Sequence, residues 1–309
     1  MRGSGSSGNN KRMLMIVAGI ATVLVVVPMF ALLIRSARNK ETSKRPASMT
    51  ATAPTAGGTV TPASAPSPSP EQTVEALPVE SPPADDVSTA VDAAKVRSMT
   101  LQLASQISQK SGYEFGPEFV EKIRARTTEY INEKPLIAAR QYRHEINKSF
   151  RDVGLNPLIG YVLALSRSKF DPVAQGKGVG IWQLPLGVVR SQGYLASADN
   201  AANLKVPETS AQIVASYTRQ LLSTFEPDDF MYAIACFGMD LRQAGQLQAR
   251  LVATAPDARS RRDITKMIRA GVLTDEQVET IARFFAAGIV GENPHQFGLS
   301  TPQPFSSLY

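Results

Sequence analysis

Cysteine occurs once in the 309 residues, at Cys236, so no intrachain disulfide can form. Histidine occurs twice, at His144 and His295. With a single thiol, that leaves too few ligands for a Cys/His zinc site. Strand signals are scarce, and no internal repeat is visible. The stretch "QGKGVG" places Gly176 and Gly178 as a phosphate-binding loop would. It lacks the Gly-Lys-Ser/Thr ending that such a loop needs, which argues against a nucleotide site. No motif for a cofactor or a metal is read. Nucleic acid is excluded by where the charge sits. The net charge is +6 and the pI about 9.4. Residues 1–45 carry eight Lys/Arg against Glu41, residues 46–86 carry five acids and no base, and the remainder is nearly balanced. The basic pI therefore comes from the N-terminal flanks and gives no footing for a nucleic-acid surface.

Order along the chain separates several regions. Residues 1–12 are rich in glycine and serine and read as disordered. Met13 to Ile34 is an uncharged apolar run of 22 residues. At about 1.5 Å per residue it matches the ~30 Å hydrocarbon layer, and it has no polar face, so it predicts a transmembrane helix. Pro28 is a place for a kink that membrane helices tolerate. A cleaved signal peptide fits less well: the run is too long and "RSARNKE" behind it offers no small-residue cleavage site. Residues 35–86 form a linker, dominated from Met49 onward by Pro, Ala, Ser and Thr without apolar periodicity. Such a segment cannot bury enough surface to fold, and its prolines stiffen it into a spacer reaching on the order of 100 Å. Lys and Arg flank both ends of the apolar run, with a mild bias toward a cytoplasmic C-terminus.

Residues 87–309 show apolar spacings of three and four, predicting an all-α domain of about eight helices. The helix over 87–110 ends at Gly112. In "GPEFVEKIRARTTEYIN" Pro117 occupies the first turn, and Phe119, Ile123 and Tyr130 share a face. One helix is expected over "PLIAARQYRHEINKSFRDVG", with Ile137, Tyr142, Ile146 and Phe150 inward and a stop at Gly154. "NPLIGYVLALSRS" starts on Asn156–Pro157 and is apolar on most sides, as a central buried helix would be. Single helices are also expected over "ETSAQIVASYTRQLLSTF", "PDDFMYAIACFGMDLRQAG" and "ARSRRDITKMIRAG". A last one, "TDEQVETIARFFAAGIVG", carries a Thr274/Gln277 capping box and closes at Gly291.

The stretch "ALSRSKFDPVAQGKGVGIWQLP", Ala164 to Pro185, carries a specific resemblance. With the preceding "GLNPLIGYV" it resembles the catalytic helix and turn of lytic transglycosylases, the lysozyme-like enzymes that cleave peptidoglycan. "GVGIWQLP" is similar to the Gly-x-x-Gln element of their membrane-bound D type. "AQIVASYTRQLLSTF", "YAIACFGMDLRQAG" and "ETIARFFAAGIVGENPHQFGL" follow in the family's order, so the likeness spans roughly residues 116–299. The resemblance implies a lysozyme-like fold, peptidoglycan as substrate class, and a domain outside the bacterial cytoplasmic membrane. It also exposes a departure. The family's Glu-Ser-x-Phe-x-Pro reads Arg167, Ser168, Phe170 and Pro172 here, and its later Tyr-Asn reads Phe237–Gly238. In the family that single Glu protonates the leaving oxygen and then recovers a proton from the sugar's 6-hydroxyl as a 1,6-anhydro ring closes. A guanidinium, with a pKa above ~12, can neither lend nor accept that proton. Losing general-acid catalysis costs on the order of 10²–10⁴ in rate.

The candidate site residues are therefore binding residues: Arg167, Ser168, Trp182, Gln183 and Phe237. No catalytic residue and no metal ligand is assigned. Arg167 either meets carboxylates of peptidoglycan, whose fork matches a guanidinium, or pairs internally and plugs the cleft. Trp182 and Gln183 line a sugar groove, or Trp182 closes the core. Ser168 makes a polar contact in the cleft or caps its helix. Cys236, in "AIACFGM", is an inert core thiol. His144 belongs to a solvated helix face, and Glu145 and Asp171 are the acids nearest the motif. The expectation is a membrane-anchored pseudoenzyme that binds peptidoglycan glycan strands or an envelope protein. An active transglycosylase with a displaced acid and an envelope scaffold with a filled cleft are the alternatives.

Overall fold

A computed structural model of the protein describes residues 91–173, 178–194, 201–225 and 229–309. The expectations for residues 1–12, 13–34 and 35–86 lie outside the described residues, as does Gly176. Everything described belongs to one unit, Ser81–Tyr309. No helix among the described residues is long and apolar enough to cross a membrane.

The chain runs α1 (Ala93–Ser108), α2 (Pro117–Thr127), α3 (Glu133–Ala138), a 3₁₀ turn (Ala139–Tyr142), α4 (Arg143–Asp152) and α5 (Pro157–Ser168). A two-stranded hairpin follows, β1 (Gly178–Val179) antiparallel to β2 (Leu184–Pro185), with Gly178 opposite Pro185 and Val179 opposite Leu184. Then come α6 (Leu186–Ser191), a 3₁₀ turn (Ala201–Lys205), α7 (Pro207–Thr224), α8 (Phe230–Ala235) and α9 (Leu241–Thr254). The last part holds α10 (Ala258–Arg261), α11 (Ile264–Arg269), α12 (Asp275–Glu292) and two 3₁₀ turns, Pro294–Phe297 and Phe305–Leu308. The domain is all-α apart from the hairpin and one isolated bridge between Glu114 and Asp263.

α5 is the buried core helix. Asn156 caps it by accepting the Leu158 N–H at 3.0 Å, Pro157 fills the first turn, and every residue from Pro157 to Leu165 is buried. Each of its large apolar side chains contributes roughly 1.5–3 kcal/mol by leaving water. Gly160 lets α4 close on it: a Cβ there would stand 2.6 Å from Phe150 Cε2. α12 packs against α1, α2, α5 and α8 at once. Its small residues allow this, since a Cβ on Gly288 would fall inside Leu103 of α1.

Four expected helices are altered. The helix expected over 135–154 is interrupted by the 3₁₀ turn at 139–142; Ile146 and Phe150 are fully buried, but Ile137 is exposed. "PDDFMYAIACFGMDLRQAG" breaks into α8 and α9 because Gly238 turns with φ +92° and Asp240 starts a new helix with a capping box to Gln243. "ARSRRDITKMIRAG" breaks where Asp263 caps α11 through the Lys266 N–H. In α12 the Thr274/Gln277 capping box forms. The helix runs one residue past Gly291, which instead makes room for the Phe305 ring.

Candidate functional site

The last turn of α5, the hairpin, the α8–α9 turn and the first half of α12 enclose an open groove of about 330 Å³. It is not packed shut. Arg167 comes from α5, Gln183 and Pro185 from the hairpin, Phe237 from the α8–α9 turn, and Glu276 and Glu279 from α12.

Arg167 is exposed to water yet set into a concave wall. The surrounding protein pulls its pKa below the ordinary guanidinium value by desolvation, and Glu276 is the strongest charge opposing that shift. The group stays a cation. Its Cζ lies 5.8 Å from the centre of the Phe237 ring, a cation–π contact worth ~0.5–1 kcal/mol. No described residue pairs with it by salt bridge or hydrogen bond. The internal partner that would neutralise Arg167 is therefore not found among the described residues.

Phe237 is held from behind. Tyr217 of α7 meets it edge-on at 5.6 Å. The Tyr217 hydroxyl donates to the Met239 carbonyl at 2.6 Å and accepts the Gly238 N–H at 3.1 Å. Burial drives that phenol's pKa well up, so it remains a donor. Tyr217 thus sets the turn that presents Phe237, a role that its place in an ordinary amphipathic helix does not announce.

The hairpin residues divide between groove and core. Trp182 takes the core: it is 1% exposed and its indole N–H donates to the Gly160 carbonyl at 2.9 Å. It does not line the groove, because that bond turns the ring onto the middle of α5. Ser168 likewise does not face the groove; its hydroxyl donates to the Ile181 carbonyl and ties the hairpin to the end of α5. Gln183 does line it. Its side-chain amide donates to the Gly180 carbonyl at 2.8 Å, and its backbone sits at φ +47°. Lys169 and Phe170, at φ +58° and +62°, share this left-handed conformation directly after the helix that carries Arg167. Non-glycine residues adopt it at a cost of order 1–3 kcal/mol. Here Phe170 is locked by stacking on Tyr142 and meeting Phe305 edge-on.

Neither acid nearest the motif reaches the groove. Glu145 borders a separate depression on α4 with Arg140, His144 and Arg151. Asp171 is exposed and accepts the Val173 N–H at 2.8 Å. The groove's carboxylates, which sequence reasoning missed, are on α12. Glu276, Glu279, Thr280 and Arg283 recur at helical spacing and line one wall; that polar stripe in "TDEQVETIARFF" was the available signal. Glu279 is taken up by Arg126 at 2.7 Å, Arg283 at 2.9 Å and Lys122 at 3.7 Å. Glu276 has no such partner among the described residues. Cys236 is fully buried and its thiol is pushed up to about 12 by desolvation, which makes it no nucleophile. Among the described residues no group of three or more His, Cys, Asp or Glu side chains could hold a metal.

The arrangement offers a cation beside an aromatic ring from α5, a carboxylate from α12 that pairs with no described residue, and an apolar lining of Leu163, Ile234 and Phe284. It can hold a small charged group. At the end of α5 it holds a cation, Arg167, which neither lends nor accepts a proton at working pH. No protein-family model matches the chain, and no curated protein is significantly similar to it.

Proposed function

We propose that the protein is a lytic-transglycosylase-like pseudoenzyme that binds peptidoglycan, or an envelope partner, without cleaving it. In this reading Met13 to Ile34 anchors it in the bacterial cytoplasmic membrane. The Pro-rich tether then holds the helical domain on the outer side. The support is of two kinds: the ordered motifs from residue 116 to 299, and the state of Arg167. The observation that carries the reading is that this guanidinium stands in an open groove, unpaired with any described acid, at the position where the resemblance puts the general acid. An uncommitted guanidinium binds carboxylates in a fork and transfers no proton.

Purified full-length protein in detergent, incubated with murein sacculi, is expected to co-sediment with them and to release no 1,6-anhydro-muropeptides by mass spectrometry. Arg167→Ala is expected to weaken the co-sedimentation. Anhydro products above a blank would overturn the reading. If those products also vanished in Glu276→Gln, the protein would be an enzyme whose acid stands on the opposite wall.

A further inference from the structure

Of the four charged side chains lining the groove, Glu279 and Arg283 hold each other at 2.9 Å. The other two, Arg167 and Glu276, have no ion pair or side-chain hydrogen bond with any described residue. They do not pair with each other either, although Glu276 is the charge that Arg167 feels most. Two opposite charges facing one cavity without contact leave a gap with polarity at each end. The rest of the lining adds little competing polarity. The Thr280 hydroxyl is turned back to the Glu276 carbonyl, and the Ser166 hydroxyl to that of Leu163. The same lining holds Phe237, Leu163, Ile234 and Phe284, which suit a short apolar stem. The volume, about 330 Å³, is that of a pocket for a small ligand group.

We infer that the groove recognises a zwitterionic amino-acid group, its carboxylate on Arg167 and its ammonium on Glu276. This rests on the reading of the groove as a peptidoglycan-binding site and narrows it from the sugar backbone to the peptide. Arg167 alone would accept any carboxylate. Glu276 adds a requirement for a positive charge beside it, and repels ligands that carry only negative charge.

The test is a calorimetric titration of the full chain in detergent with three probes: alanyl-alanine, its N-acetyl derivative and its C-terminal amide. Alanyl-alanine is expected to bind about two- to fivefold more tightly than either blocked form, the size of one exposed charge contact. Glu276→Gln should abolish the preference over the N-acetyl form, with N-acetyl binding no weaker than in the parent and strengthened by the lost repulsion, and Arg167→Gln should weaken both carboxylate ligands. Equal affinity for free and N-acetyl dipeptide, or a preference unchanged in Glu276→Gln, overturns the inference. No binding of any probe also overturns it. The sacculus experiment reports separately: retention on sacculi without probe discrimination sinks this inference alone. Discrimination without retention supports it and sinks the peptidoglycan reading.

Discussion

Position 167 shows how much one side chain decides and how little its identity alone says. The sequence places an arginine at the end of the core helix, and from that alone it could be a plug or a receptor. It is exposed and has no salt-bridge or hydrogen-bond partner among the described residues, which supports the proposed receptor role over a plug; the Phe237 ring lies 5.8 Å away. That ring depends in turn on Tyr217, whose hydroxyl serves Met239 and Gly238 from a nearly water-free position. Tyr217→Phe keeps the ring and removes the oxygen, leaving the half-buried Gly238 N–H and Met239 carbonyl without that partner. It is expected to cost about 1–3 kcal/mol in urea denaturation and to weaken ligand binding as the turn loosens. A variant as stable as the parent would deny Tyr217 this role. The candidates separate on the same scale. Gln183 and Phe237 share the groove with Arg167, whereas Ser168 and Trp182 use their polar atoms on backbone carbonyls of the core. Trp182 and Gln183 are neighbours in the turn between β1 and β2, where the left-handed backbone of Gln183, at φ +47°, re-aims the chain between them. Composition gave no sign of which would face in.

At the scale of elements, the hairpin is the most constrained piece of the site. Gly178 lies so close to the Gln183 backbone that a Cβ would overlap it, and Gly180, at φ +72°, faces the Leu204 carbonyl equally closely. Gly178→Ala must therefore push β1 from β2, displacing Gln183 and Pro185 from the groove wall. We expect a loss of about 1–3 kcal/mol, as for other overpacked sites, together with weaker dipeptide binding. Unchanged binding in a folded variant would show that the hairpin does not shape the groove. Helix starts were the most legible elements, because the cap and its bonded N–H lie within three residues: Asn156 and Thr274 both accept as such residues should. Breaks were less legible. The turn at Phe237–Gly238 interrupts a run whose apolar spacing continues across it, and only the φ of +92° at Gly238 reveals the stop.

For the whole molecule, the C-terminal segment ties distant helices together. Phe305 packs under Gly291 and stacks on Tyr161, and the Leu308 carbonyl accepts from Arg143 at 2.6 Å and Asn147 at 2.7 Å. Deeper still, Arg261 and Asp229 form an ion pair at 2.8 Å with both side chains fully buried, Arg261 also donating to the Ala255 and Pro256 carbonyls. Glu292 accepts the Ser306 N–H at 2.7 Å, and burial raises its pKa, the hydrogen bond opposing that only in part. Because the folded state holds this proton more tightly than the unfolded chain, its contribution to stability is full below the ordinary glutamate pKa of about 4.3. It is lost as pH rises through the folded value. Glu292→Gln keeps an acceptor for Ser306 and removes the titration. Its urea midpoint should gain on the parent's between about pH 4 and pH 7. An offset equal at both pH values would remove Glu292 as the cause.

What the sequence determined by itself is what neighbouring residues decide: helical periodicity, caps, the burial of α5, and the absence of an acid at its end. These follow from spacings of three and four and from hydrogen bonds within one turn. What only the tertiary structure decided is which walls meet. Arg167 and Glu276 lie more than 100 positions apart, and nothing local relates them. They face one groove because the small residues of α12 let it pack on four helices at once, and that packing, a property of the whole core, put a carboxylate and a guanidinium that pair with no described residue on the same groove.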